Sequence, residues 1–168
     1  SYKATFTPSA GSQYCTYHAD IYLTVNKAAP VQTGTGSGSQ ITYGQKLADS
    51  VVTETFEVDS TAVAGTVGWK EISIQPEVSD GNLTEYDIIF EPADTDNYNA
   101  AAGKVKLQSV EKKAVTVSIK NTDKIYGDDN PVFALEIPDK TLAGDDTAED
   151  LAVTFACAAD ITTAAGST

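Results

Sequence analysis

The sequence predicts an all-β protein, on three observations. Apolar residues recur with a period of two in many short runs. The composition leans towards Thr, Val and Tyr, which suit a pleated surface, while Arg and Met are absent. Gly, Pro, Asn and Asp cluster between the runs at intervals of about 8–12 residues, a spacing that indicates a sandwich or a barrel. No stretch carries a sustained helical apolar stripe.

The clearest run lies at residues 84–99. Tyr86, Ile88 and Phe90 alternate with Asp87, Ile89 and Glu91, Ile89 being the exception, so the run reads as a half-buried strand. Pro92 ends it, because proline cannot donate to a ladder. Asp94, Asp96 and Asn97 supply turn chemistry. Tyr98 leads into a second alternating run at residues 104–107, which completes a hairpin with an acidic loop. The start of the chain repeats this order. Tyr2, Phe6, Pro8 and Tyr14 match Tyr86, Phe90, Pro92 and Tyr98 at a constant offset. A second repeat links Ile41-Thr42-Tyr43-Gly44 to Lys124-Ile125-Tyr126-Gly127, the tyrosines lying 83 positions apart. The period is that of one small β domain.

Four segments follow. Residues 1–27 begin on a strand but are too few to bury a core. Residues 28–40 contain VQTGTGSGSQ, whose Gly and Ser content is that of a flexible linker or entry loop. Residues 41–112 form the complete unit. An apolar run from Leu47 to Val52, alternation at residues 56–58, a glycine-bearing strand at residues 63–69 and further alternation at residues 72–74 lead to a turn at residues 79–82 and the hairpin. Residues 113–168 open another unit, with alternation at Val115, Val117 and Ile119. Strands are expected at residues 132–137 and 151–157, and the sequence stops at Gly166-Ser167-Thr168 before a closing hairpin.

The net charge of −13 repels phosphate backbones and anionic headgroups, which argues against nucleic acid and membrane surfaces as partners. No apolar run is long enough to span a bilayer. Cys15 shares parity with Ile21, Leu23 and Val25, and Cys157 with Leu151, Val153 and Phe155. The pair reads either as two buried inert thiols or as a disulfide across a sandwich.

An enzyme needs convergent reactive groups. The single histidine, His18, falls on the outward parity with Thr16 and Asp20. Glycines 34, 36 and 38 lack the following helix that a phosphate loop requires. A non-enzymatic chain without cofactors is therefore expected. Calcium is the main chemical alternative. Asp94, Asp96 and Asn97 offer oxygen ligands in a hairpin loop, and Asp128-Asp129-Asn130 is a second acidic turn, but neither has the glycine and distal glutamate of a twelve-residue calcium loop. Turn formation explains the same residues without a metal. Trp69, the only tryptophan, shares parity with Val67 and is expected in the core rather than on a sugar-stacking platform.

Residues 113–137, KAVTVSIKNTDKIYGDDNPVFALEI, resemble the start of the bacterial immunoglobulin-like repeat of MBG or YDG type. Tyr126-Gly127-Asp128, Asn130-Pro131 and the Leu142-Ala143-Gly144-Asp145 loop carry the likeness. SYKATF and IYLTVNKA, at residues 1–6 and 21–28, look like the end of such a module. Residues 41–112 are similar to a sister repeat of Gram-positive surface proteins. The resemblance implies tandem Ig-like antiparallel β-sandwich modules, one complete and two partial, and an extracellular spacer in a cell-surface stalk. The alternative is an adhesive module that binds a host glycan or protein through its loops. It also implies that the partners are neighbouring modules, and that the two half-modules are complementary pieces, able to join chains head to tail.

Overall fold

The computed structural model describes residues 1–166; Ser167 and Thr168 of the terminal run lie outside the described residues. Fourteen strands and two short 3₁₀ turns account for its regular structure, so the all-β expectation holds. Strands β1 (Tyr2–Phe6) and β2 (Tyr17–Ile21) form a hairpin by themselves. The central unit then runs through β3 (Val31–Gln32), β4 (Ser37–Gly38), β5 (Ile41–Thr42), a 3₁₀ turn (Leu47–Asp49), β6 (Val52–Thr53), β7 (Phe56–Val58), β8 (Thr61–Ala62) and β9 (Gly65–Trp69). It closes with β10 (Glu85–Pro92), β11 (Ala101–Lys106) and β12 (Val110–Glu111). Beyond it lie β13 (Ser118–Ile119), β14 (Leu135–Glu136) and a second 3₁₀ turn (Glu149–Leu151).

The core belongs to the central unit. Along β10 the side chains of Tyr86, Ile88 and Phe90 are buried, as their alternation predicts, because one face of a strand must leave water when the other stays in it. β10 is the middle of a three-stranded antiparallel sheet, flanked by β9 and β11. A second three-stranded sheet, in the order β3-β7-β8, contributes Phe56, whose ring stacks on Phe90 at 4.6 Å and 8°. Leu47, Trp69, Val105, Leu107, Val110 and Ile41 complete the cluster. Trp69 is inside, as expected. It meets the edge of Tyr86 at 6.2 Å, and its indole N–H donates to the Ser50 carbonyl at 3.0 Å. That bond satisfies a donor which burial would otherwise strand.

The Gly/Ser-rich stretch is not a linker. Its residues form β3 and β4, which pair with β7 and β6. Its glycines are there for closeness rather than freedom: a Cβ on Gly38 would stand 2.4 Å from the Trp69 ring and 2.7 Å from Leu107. Gln32 extends the pairing sideways. Its amide donates to the Lys104 carbonyl at 2.9 Å and accepts from the Lys104 N–H at 3.0 Å. The complete unit therefore begins near residue 28, where Ala28 pairs with Tyr98, and not at residue 41.

The flanks depart from the expected pattern in a different way. In the N-terminal hairpin Tyr2↔Ile21, Ala4↔Ala19 and Phe6↔Tyr17 lie on one face, and Lys3↔Asp20 and Thr5↔His18 on the other. Adding 84 to each residue number reproduces the β10–β11 register, from Tyr86↔Val105 to Phe90↔Ala101. The apolar face that β10–β11 buries is open in β1–β2, with Phe6 61% and Tyr17 66% exposed. Cys15 is exposed, and so are Ile21, Leu23 and Val25, which overturns the expectation of a buried thiol. Parity decides which face a residue occupies, not whether anything covers that face. Beyond the central unit the strand expected at residues 132–137 shrinks to Leu135–Glu136, and residues 151–157 form no strand.

Truncating the two matched phenylalanines should separate buried from bare. Phe90→Ala should cost about 3–5 kcal/mol, the usual loss for a core phenylalanine. Phe6→Ala should stay within roughly 0.5 kcal/mol in dilute solution, as for a surface position. Urea unfolding followed by Trp69 fluorescence measures both.

Candidate functional site

Three places gather polar side chains: the loop at the tip of β10–β11, the turn beneath Tyr86, and the contact between the central unit and the segment after it. In the first, both Asp94 oxygens face inward to their own loop. Oδ1 accepts from the N–H groups of Asp96 (3.2 Å) and Asn97 (3.1 Å), and Oδ2 accepts from the Asn97 amide at 2.7 Å. These bonds, the Asn97 amide first, hold the Asp94 carboxyl below its ordinary pKa. The geometry is that of an Asx turn, so the calcium candidates Asp94, Asp96 and Asn97 are brought together as turn residues. The loop also anchors the chain entering the unit. The Ala28 N–H donates to the Asn97 carbonyl at 2.8 Å, the Asn99 N–H to the Ala28 carbonyl at 2.9 Å, and Lys27 Nζ to the Thr95 carbonyl at 2.6 Å.

The second acidic turn does not converge: Asn130 Nδ2 donates to the Ala159 carbonyl at 2.6 Å, and Asp129 joins no cluster. Among the described residues no group of three or more His, Cys, Asp or Glu is placed to hold a metal ion. His18 is exposed with Nδ1 at 2.9 Å from Thr5 Oγ1. Asp87 faces Lys104 at 3.3 Å and Lys70 at 3.8 Å in exposed pairs of the kind that add little stability. Cys15 and Cys157 are both exposed and are not bonded to each other.

Beneath β10, Asp80 accepts from the Glu77 N–H at 2.9 Å, the Thr84 hydroxyl at 3.0 Å and the Tyr86 hydroxyl at 3.2 Å. The Glu77 bond is the main cause that lowers the Asp80 pKa. Burial, then the nearby Asp80 charge and its hydrogen bond, push the Tyr86 hydroxyl up to about 12. The sequence marks residues 79–82 as a turn but gives no sign that its aspartate reaches under the strand.

The third place is the contact between units. Tyr43 and Gly44 form a tight turn closed by the Gln45 N–H to the Thr42 carbonyl at 2.9 Å, with Gly44 at φ +93°. The Leu142-Ala143-Gly144-Asp145 loop packs onto it. Ala143 is 5% exposed, and a Cβ on Gly44 would lie 2.7 Å from the Ala143 Cβ. The Tyr43 hydroxyl donates to Asp146 Oδ1 at 3.2 Å, and Lys113 Nζ to the Leu142 carbonyl at 3.2 Å. Desolvation first, then Asp146, raise the Tyr43 pKa. A cleft of about 350 Å³ lined by Tyr43, Val78, Val115, Leu142 and Leu151 runs along the contact. Tyr126-Gly127 repeats the same turn, with the Asp128 N–H to the Ile125 carbonyl at 3.1 Å and Gly127 at φ +95°, yet a Cβ on Gly127 would meet no atom within 4 Å among the described residues. The sequence shows both turns as a repeat. It gives no signal for Tyr43 with Asp146, which lie 103 positions apart.

No protein-family model, no curated protein and no solved structure matches this chain.

Two outcomes test this geometry. Tyr86 keeps its proton to about 12 in the folded chain against an ordinary 10. Its contribution is therefore whole below pH 10 and is lost as pH rises through about 12, a difference of roughly 2–3 kcal/mol. Melting curves between pH 10 and 12 should fall less steeply for Tyr86→Phe than for the parent. At the unit contact, Gly44→Ala and Gly127→Ala carry the same left-handed strain, about 1–2 kcal/mol, but only the first clashes with Ala143. Proteolysis near residues 113–120 should quicken in Gly44→Ala and not in Gly127→Ala.

Proposed function

We propose that the chain is a non-enzymatic segment of tandem Ig-like β-sandwich modules, of the MBG type it resembles, and that it acts as an extracellular spacer in a bacterial cell-surface stalk. One observation carries the reading. The chain repeats the same hairpin register and the same Tyr-Gly turn about one small domain apart, and one of those turns is where the next unit docks. Units that are stabilised internally and at contacts with their neighbours are the components of a linear array. The partners of such a segment are modules of its own kind. The acidic composition, with a net charge of −13, keeps an extended array in solution.

The second reading, adhesion to a host glycan or protein, is favoured by one feature. The N-terminal hairpin and its flanks expose Tyr14 (80%), Tyr17 and Tyr22 (91%), and aromatic rings can supply contact area to a sugar or a protein. Display on a wall-anchored surrogate cell distinguishes the two. As a spacer, the chain should move a terminal epitope outward from the wall, and glycan and matrix-protein arrays should stay blank. Array binding that Tyr14→Ala and Tyr22→Ala together abolish would overturn the spacer reading in favour of adhesion.

A further inference from the structure

The stretch that enters the central unit and the stretch that leaves it run side by side in the same direction. Ala28 bridges Tyr98, Gly38 bridges Leu107, and β5 pairs with β12 through Ile41↔Val110 and Thr42↔Glu111, all of them parallel. The bonds of this seam are spread along its whole length. At one end the Ala28 N–H donates to the Asn97 carbonyl at 2.8 Å, and the Asn99 N–H to the Ala28 carbonyl at 2.9 Å. In the middle the Gln32 side-chain amide stands in for a backbone unit. It donates to the Lys104 carbonyl at 2.9 Å and accepts from the Lys104 N–H at 3.0 Å. Farther along, the Gln108 N–H donates to the Gly38 carbonyl at 3.0 Å, the Ile41 N–H to the Ser109 carbonyl at 3.2 Å, and the Tyr43 N–H to the Glu111 carbonyl at 2.8 Å.

The entering stretch is held on its other side as well. β3 pairs with β7 and β4 with β6, both antiparallel, and the Ser39 N–H donates to the Val51 carbonyl at 2.7 Å. Ile41, Leu107 and Val110, which lie on the seam itself, belong to the buried core. The two stretches therefore cannot slide past each other without drawing apolar side chains into water. Glycine permits their approach on both sides: a Cβ on Gly38 would run into Leu107, and one on Gly103 into the Gln32 amide.

Direction decides how such a seam meets tension. A pull between the two ends of the chain draws Ala28 backwards and Glu111 forwards. Parallel strands pulled in that sense are loaded in shear, so all the bonds between them share the force. Strands pulled apart from one shared end open a bond at a time. We propose that the seam between residues 28–43 and 97–111 is a shear clamp, which lets the central unit bear tension along the chain. The β1–β2 hairpin has the opposite geometry. Its strands are antiparallel with Tyr2 facing Ile21, so the same pull unzips it from that pair. A role in a stalk rests on the spacer reading, whereas the resistance to force rests on the seam alone. A failed epitope display would remove the first and leave the second standing.

Single-molecule force spectroscopy on the full chain, pulled in two geometries, tests the clamp. Handles at the two ends of the chain load the seam in shear. Handles at Lys46→Cys and Lys112→Cys sit at one shared end of the seam and open it as a zipper; Cys15→Ser and Cys157→Ser keep that attachment unique. Both lysines are exposed, and Trp69 fluorescence melts report whether each variant is folded. Forced rupture follows the unfolding rate along the path taken. In the first geometry the step that releases residues 28–111, roughly 280 Å of extended chain, should need a force several-fold above the first opening in the second. Gln32→Ala removes bonds far from the zipper's starting end. It should lower the force in the first geometry and leave the second unchanged. Equal forces in the two geometries would overturn the proposal, and so would a Gln32→Ala loss of the same size in both.

Discussion

The covered face of β10 is what the rest of the structure depends on. Tyr86, Ile88 and Phe90 leave water together, with Trp69 against Tyr86 and Phe56 against Phe90. Each large side chain so buried contributes about 1.5–3 kcal/mol by transfer from water. The polar cost is met locally. The Tyr86 hydroxyl finds Asp80, and the Trp69 N–H finds the Ser50 carbonyl. Small residues elsewhere make room for this cluster. Gly38 lets β4 lie against the Trp69 ring, and Gly65 lets β9 pass the Phe90 ring, where a Cβ would stand 2.5 Å from Phe90.

The hairpin at the start of the chain shows the same side-chain order and the same register without a cover. The comparison separates two things that a sequence pattern mixes. Alternation and turn residues fix pairing, so the five pairs of β1–β2 recur in the same register within β10–β11. Even the charged pair survives in reversed sense, Lys3 opposite Asp20 in one and Asp87 opposite Lys104 in the other. Burial depends on a second layer, and that layer comes from residues far away in the chain. Contacts between units work similarly. The Tyr43-Gly44 turn and the Tyr126-Gly127 turn share their backbone, but only the first has Ala143 against it.

Much of the fold could be read from the residues. The buried parity of β10, the core position of Trp69, the hairpin loop held by Asp94 and the repeated Tyr-Gly turn all follow from local spacing and turn chemistry. What could not be read depends on partners. Glycines 34, 36 and 38 look like linker residues because flexibility and close packing call for the same side chain. Cys15 has the parity of an apolar strand face, as a buried thiol or a disulfide would need, but it is free and exposed. Residues 151–157 alternate like a strand but pair with no other strand among the described residues. At the unit contact, Tyr43 and Asp146 are joined by tertiary structure alone, which no local pattern encodes.

Two hairpins of matching register differ in whether their apolar face is covered. Amide hydrogen exchange on the dilute chain tests it most directly. The account predicts that the amides of β10 and β11 exchange only through global unfolding of the central unit, while those of β1 and β2 exchange orders of magnitude faster. Equal protection of the two hairpins in dilute solution, or a β10–β11 pair as labile as β1–β2, would contradict it.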